Sequence, residues 1–196
     1  MINIGKYNLN QAEKLIKLAR DSINSRFNNS KIECPKGPEY MQERGVFVTL
    51  TKDGQLRGCI GYPLPSLAIA DAVAQAAQNA AFSDPRFRPL EKHELNNIII
   101  EISILTVPQE CSPNDIKIGR DGLICNYLGY EGLLLPQVAV EHKMDRIQFL
   151  ECVCQKAGLP DDAWQKPGFK LQKFQAQIFR EKEPGGEIVE VQNNGG

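Results

Sequence analysis

The sequence predicts an α+β fold of mainly antiparallel or mixed sheets flanked by helices. Three observations predict it. Ala12, Leu15, Ile16, Ala19 and Ile23 recur at helical spacing, and an alanine-rich helical stretch follows over 67–82. Residues 45–51 and 55–62 read as two strands joined by the turn signal Asp53-Gly54. Residues 98–106 form a third strand, strongly β-branched.

Taken in order, Asn10 with Glu13 makes a capping box for the first helix, which Asn28-Asn29 ends. Residues 30–44 contain Pro35, Gly37 and Pro38 and read as a surface loop. Pro63 and Pro65 stop the second strand, and Ser66 caps the helix over 67–82. Asp71, Gln75, Gln78 and Asn79 form a narrow polar stripe on that helix, so most of its circumference is buried. Residues 83–90 form a rigid loop with two prolines and two arginines, followed by a short helical turn over 91–95. The nearly unbroken apolar start of the strand over 98–106 suits a central place in a sheet.

Beyond it, residues 116–118 and 123–125 read as short strands joined through Gly119-Arg120-Asp121-Gly122. Leu133-Leu134-Leu135 is a short buried run ended by Pro136. Asp145 and Gln148 make a second capping box, and Gly158 terminates the helix that follows. Residues 169–180 read as one last strand. This organisation predicts one domain over 1–183, with room for two lobes, and a flexible tail over 184–196.

The 196 residues are 42% hydrophobic and 24% charged, a globular balance that supports a sizeable core. A formal net charge of −1 gives no general attraction to nucleic acid or anionic membrane. No apolar run suits a signal peptide or approaches the ~20 residues of a membrane span, so a cytoplasmic location is expected. Six cysteines without a C-x-x-C pair, and two histidines, argue against structural zinc. No dinucleotide fingerprint, P-loop or metal cluster is present, so no cofactor is expected.

The register of the hairpin decides which way Cys59 points. A two-residue turn would mix polar and apolar residues on both faces. A three-residue loop, Lys52-Asp53-Gly54 with a bulge at Gly54, segregates them and is the preferred register. Leu56 and Ile60 then join Leu50, Val48 and Val46, while Arg57 and Cys59 project beside Thr49 and Phe47. A guanidinium beside a thiol favours the thiolate, which makes Cys59 and Arg57 the catalytic candidates. Gly58 and Gly61 bare the backbone on either side and are candidate binding positions. The same glycines equally suit close packing of the alanine-rich helix around a buried cysteine.

The stretch Leu56-Arg57-Gly58-Cys59-Ile60-Gly61 resembles the signature of the AMMECR family. The likeness includes residues 45–50, then Ala80-Ala81-Phe82-Ser83-Asp84-Pro85-Arg86-Phe87, Pro89-Leu90 and Glu94-Leu95. It continues through Ile102-Ser103-Ile104-Leu105, Gly122-Leu123, Leu134-Leu135-Pro136-Gln137-Val138-Ala139 and Glu141. It ends with Asp145, Phe149-Leu150, Ala157-Gly158-Leu159 and Trp164, in family order over roughly residues 10–180. The resemblance implies an intracellular α+β fold of two lobes, with a cleft near the signature hairpin and an undefined biochemical function. It also implies a pathway link to Memo-like and radical-SAM proteins, by association alone. Met144 departs from the pattern, standing where a tryptophan is expected.

Asp84 and Arg86 flank Pro85 and can either orient a polar substrate beside Cys59 or pair with each other. Glu141 is a further candidate for binding or proton transfer, against a plain solvated carboxylate. His93 and His142 fall outside the family motifs, so no papain-like Cys–His dyad is expected. The expected function is that of an enzyme acting on a small polar or anionic substrate at Arg57 and Cys59. The alternatives are a non-catalytic ligand-binding or protein-interaction module and an RNA-associated regulator. Near-neutral charge and the lack of clustered stacking aromatics count against the last.

Overall fold

The computed structural model describes residues 6–191. Its first half runs α1 (Leu9–Asn28), β1 (Val46–Lys52), β2 (Gln55–Tyr62), α2 (Ile69–Phe82) and β3 (Ile98–Leu105). Then follow β4 (Gln109–Glu110), β5 (Gly122–Tyr127), β6 (Tyr130–Leu134), α3 (Pro136–Glu141), α4 (Arg146–Lys156), β7 (Lys170–Phe174), β8 (Ala176–Glu181) and β9 (Ile188–Val191). The strands make two antiparallel sheets, ordered β2-β1-β3-β8-β9 and β4-β7-β5-β6. The chain divides into two compact units, one running to Leu105 and resuming over Gln177–Val191, the other Thr106–Ala176. Among the described residues no helix is long and apolar enough to cross a membrane.

In the larger unit, strand alternation puts Val46, Val48 and Leu50 of β1 on one face with Ile98, Ile100, Ile102 and Ile104 of β3. Leu15, Ile16, Ala19 and Ile23 of α1 and Ala72, Val73, Ala76 and Ala80 of α2 join the same core. β3 sits in the middle of its sheet, as its apolar start predicts. Both helices therefore cover one face, and the opposite face carries Thr49, Cys59 and Glu101.

In the smaller unit, Leu123 and Cys125 of β5, Leu171 of β7 and Leu134 of β6 pack against Phe149, Leu150 and Val153 of α4. Met144 packs on this core and fills the place where a tryptophan was expected. Asp121, fully buried, accepts from the Lys117 backbone, from Arg120 twice and from Gln175, which makes it a hub and not only a turn residue.

Several elements differ from expectation, each for a local reason. α1 begins earlier, because Asn8 and Gln11 form the capping box instead of Asn10 and Glu13. Ser66 caps nothing: the segment before α2 pairs with residues 42–44, and Ile69 donates to the Gln42 carbonyl at 2.9 Å. Residues 116–118 are not a strand; β5 instead turns at Leu128-Gly129, both at positive φ, into β6. Pro136 opens α3 at its first position, where a missing N–H costs nothing. The last strand is two strands in different sheets, separated where Thr106 and Gln175 bond each other's backbones and side chains. The predicted flexible tail contains a strand, since β9 pairs with β8 from Ile188 to Val191; the rest of that tail lies outside the described residues.

Candidate functional site

The hairpin reaches its polarity by a different route from the expected one. Lys52 pairs with Gln55, leaving Asp53 and Gly54 as a two-residue turn at φ +51° and +75°. Two positive φ values mark a turn whose twist matches a right-handed strand pair. Taken alone, this turn would set Cys59 opposite Val48. A bulge between Leu50 and Thr51 corrects the register, and Arg57 is the extra residue. From Gly58 onward the faces are as predicted: Cys59 pairs with Thr49 and Ile60 with Val48. Leu56 is the exception, since it pairs with Thr51 and is exposed.

Each residue of the signature then has a distinct partner. The bulged Arg57 turns to Glu94, with Nε to Oε1 at 3.1 Å and Nη2 to Oε2 at 2.8 Å. Its Nη1 donates to the Arg88 carbonyl at 2.9 Å. Lys52 also donates to Glu94, at 3.1 Å. Hydrogen bonding from Arg57 first, then from the Glu91 backbone and Lys52, lowers the Glu94 pKa to about 2 against the burial that opposes it. Arg57 therefore fastens the 88–94 loop, and its guanidinium is not the one beside the thiol. Gly58 faces α2, where a Cβ would run into the Ala80 carbonyl oxygen. Gly61 lies opposite Phe47, whose ring occupies the space of a side chain there. The packing reason for these glycines is thus real, and Cys59 between them stays half-buried on the opposite face.

Around Cys59 the partners come from the 84–86 loop. Its N–H donates to Asp84 Oδ2 at 2.9 Å, and its carbonyl accepts from Arg86 Nη2 at 3.2 Å. β2 is the outermost strand of its sheet, so the two side chains take the backbone groups that a neighbouring strand would otherwise pair. Asp84 and Arg86 also pair with each other, Nε to Oδ1 at 3.0 Å and Nη2 to Oδ2 at 2.7 Å. Asp84 and Arg86 thus pair with each other and hold the Cys59 backbone at the same time. The Asp84 side chain is buried while that of Arg86 is 54% exposed. The Arg86 guanidinium, foremost by its hydrogen bonds, holds the Asp84 carboxyl well below the usual carboxylate range. In return Asp84 raises the Arg86 pKa, with a smaller contribution from Cys59. Arg86 Nη1 has no hydrogen-bond partner among the described residues.

The thiol itself accepts from the Thr49 hydroxyl, Oγ1 to Sγ at 3.3 Å. Thr49 in turn lies directly opposite Glu101 on β3. Burial pushes the Glu101 carboxyl up, and Arg180 partly offsets this. Glu101 was missed in the sequence, although a signal was there: it is the one charge inside Ile98-Ile99-Ile100-Glu101-Ile102. Of the remaining candidates, Glu141 is exposed at the end of α3, in the smaller unit. His93 is exposed and sits 3.3 Å from Glu91. Among the described residues no group of His, Cys, Asp or Glu is arranged to hold a metal ion.

Comparison with known proteins places this geometry in a family. The AMMECR1 family description matches residues 16–179. A protein of Methanosarcina barkeri is 46% identical over 187 residues, covering 89% of this chain and 92% of the relative. A protein of Pyrococcus furiosus is 46% identical over 190 residues, covering 90% of each. The crystal structure of an uncharacterized protein from Pyrococcus horikoshii has a TM-score of 0.81 at 42% identity, covering 91% of this chain and 95% of that one. The names of these relatives state no activity. With the signature, the fold and the full-length relatives in agreement, the chain belongs to the AMMECR1 family.

Proposed function

We propose that the protein acts on a small anionic molecule, recognised by Arg86 and brought against the thiol of Cys59. One observation carries this reading. Arg86 is locked in place by a buried carboxylate, yet it is half-exposed and keeps Nη1 for an incoming group. A guanidinium fixed in this way loses little freedom on binding a carboxylate or phosphate. One charge-assisted bond contributes about 1.5–3 kcal/mol, enough for roughly ten- to a hundredfold selectivity over a neutral analogue. The family's expected cleft beside the signature is where such a molecule would enter.

A competing alkylation measures this. In a Cys34→Ser background, which removes the exposed thiol, Cys59 is treated with iodoacetate and with iodoacetamide. The anionic reagent should gain several-fold over the neutral one relative to a free thiol, and inorganic phosphate should suppress that gain. Arg86→Gln should abolish it. An unchanged reagent ratio in the folded Arg86→Gln protein would refute the reading.

A second reading, a non-catalytic binding module, draws on one specific feature. The Cys59 N–H is held by Asp84, so it is not free to stabilise an oxyanion. A Cys59→Ser protein that keeps phosphate binding and biological complementation would favour this reading over covalent catalysis.

A further inference from the structure

We propose that Glu101 is the proton acceptor for Cys59, acting through the hydroxyl of Thr49 across three adjacent strands. This deepens the reading above and rests on it for the role of the thiol, but it concerns different residues from the anion-binding arm.

The strand registers set the row. Cys59 of β2 pairs with Thr49 of β1, and Thr49 pairs with Glu101 of β3. Side chains of directly paired residues lie on the same face, with Cβ atoms about 5 Å apart. The Cys59 backbone is bonded outward to Asp84 and Arg86, so its pairing with Thr49 is of the kind that brings side chains closest. The 3.3 Å contact from Thr49 Oγ1 to Cys59 Sγ agrees with this. A glutamate opposite Thr49 has the length to reach the same hydroxyl from the other side.

The face carrying the row is the one that α1 and α2 leave uncovered. Its nearest neighbours along β1 and β3 are Phe47, Thr51, Ile99 and Ser103, none of them charged. Arg180 on β8 is the charged group that acts on Glu101. Burial raises the Glu101 carboxyl and Arg180 partly offsets this; among the described residues no hydrogen bond holds that carboxyl, so the relay forms when the Glu101 side chain turns onto the Thr49 hydroxyl.

In the transfer, the S–H bond of Cys59 breaks as its proton passes to Thr49 Oγ1. The hydroxyl proton of Thr49 passes to a Glu101 carboxylate oxygen. The result is a thiolate, an intact hydroxyl that now donates to sulfur, and a neutral carboxyl. One proton has moved, and no electron is gained or lost. The Thr49 Oγ1 to Cys59 Sγ contact at 3.3 Å is the path for the first half of the transfer. Glu101 touches no substrate in this scheme and is a positioning residue for the proton.

The sign of one substitution separates a relay from plain electrostatics. A nearby negative charge without a relay holds the thiol protonated, so Glu101→Gln would speed alkylation of Cys59. With the relay, Glu101→Gln slows it. Iodoacetamide is the probe, since a neutral reagent bypasses any selection by Arg86, and Cys34→Ser is the background. The full-length protein is followed from pH 4 to 9, about the span over which carboxyl and thiol titrate. Wild type should show an inflection where Glu101 titrates, above the ordinary carboxylate range. Glu101→Gln and Thr49→Val should each lose it and react about three- to tenfold more slowly at neutral pH, a barrier change of roughly 1 kcal/mol. Thr49→Ser should restore both. Faster reaction of Glu101→Gln, or equal profiles for wild type and a folded Thr49→Val, would overturn the relay. Loss of the iodoacetate preference with the inflection intact would instead remove the anion reading and leave the relay standing.

Discussion

Arg57 and Glu94 are joined by two parallel hydrogen bonds, 3.1 and 2.8 Å, across 37 residues of sequence. Both side chains are largely buried, at 15% and 9% exposure. The pair ties the bulge of the signature hairpin to the loop that carries Asp84 and Arg86. Its effect on the site is indirect, since it holds the wall against which Cys59 is set.

Arg57→Ala should therefore destabilise the protein by about 2–4 kcal/mol, because it leaves the Glu94 carboxylate buried with Lys52 as its remaining cation. Equilibrium urea unfolding of wild type and variant gives the difference directly. A loss below about 0.5 kcal/mol would mean that the pair contributes no more than a surface contact.

The same carboxylate predicts an acid limb in stability. The folded Glu94 pKa is depressed to about 2 from an ordinary 4.5. Its stabilisation is thus fully present above about pH 5 and is lost as pH falls from there towards 2, up to about 3 kcal/mol. Glu94→Gln should be less stable at pH 7 and should show a flatter decline below pH 5. Parallel unfolding curves for both proteins from pH 7 to 2.5 would show that Glu94 does not titrate in this way.

Gly58→Ala tests the close approach of β2 to α2. The added methyl meets the Ala80 carbonyl, a backbone atom that cannot turn aside, so the strand or the helix must shift. Overpacking of this kind costs about 1–3 kcal/mol, and thermal unfolding should shift down by several degrees. Gly54→Ala is a useful contrast. Its Cβ has open space but requires φ +75°, so its cost is conformational and not steric. Equal stability of Gly58→Ala and wild type would contradict the packing seen at Ala80.

Much of the large unit was legible because one period served one environment. The β-branched residues of β3 announce a central strand, and the alanines of α2 announce a buried helix. The hairpin faces were legible as well, but not their cause. Polarity segregates equally well with a three-residue loop or with a tight turn followed by a bulge, and only the second leaves Arg57 as an extra residue. That is why the sequence suggested a guanidinium from Arg57 beside the thiol when the structure puts Arg86 there. Long-range pairing hid the rest. Nothing local in residues 170–181 reveals that they serve two different sheets, and nothing in β1 or β3 alone reveals the row from Cys59 through Thr49 to Glu101.

The carboxylate of Asp84 and the guanidinium of Arg86 take the N–H and C=O that Cys59 would offer to another strand. A free sheet border is a template on which a second chain can assemble, and proteins that leave one open risk joining edge to edge. At Cys59 this template is interrupted by two side chains that imitate a peptide. The atoms of Asp84 and Arg86 that cover the strand edge at Cys59 are the same ones that shape the surroundings of its thiol. Substitutions that loosen them should couple altered thiol chemistry to self-association, so that light scattering rises together with the change in Cys59 reactivity.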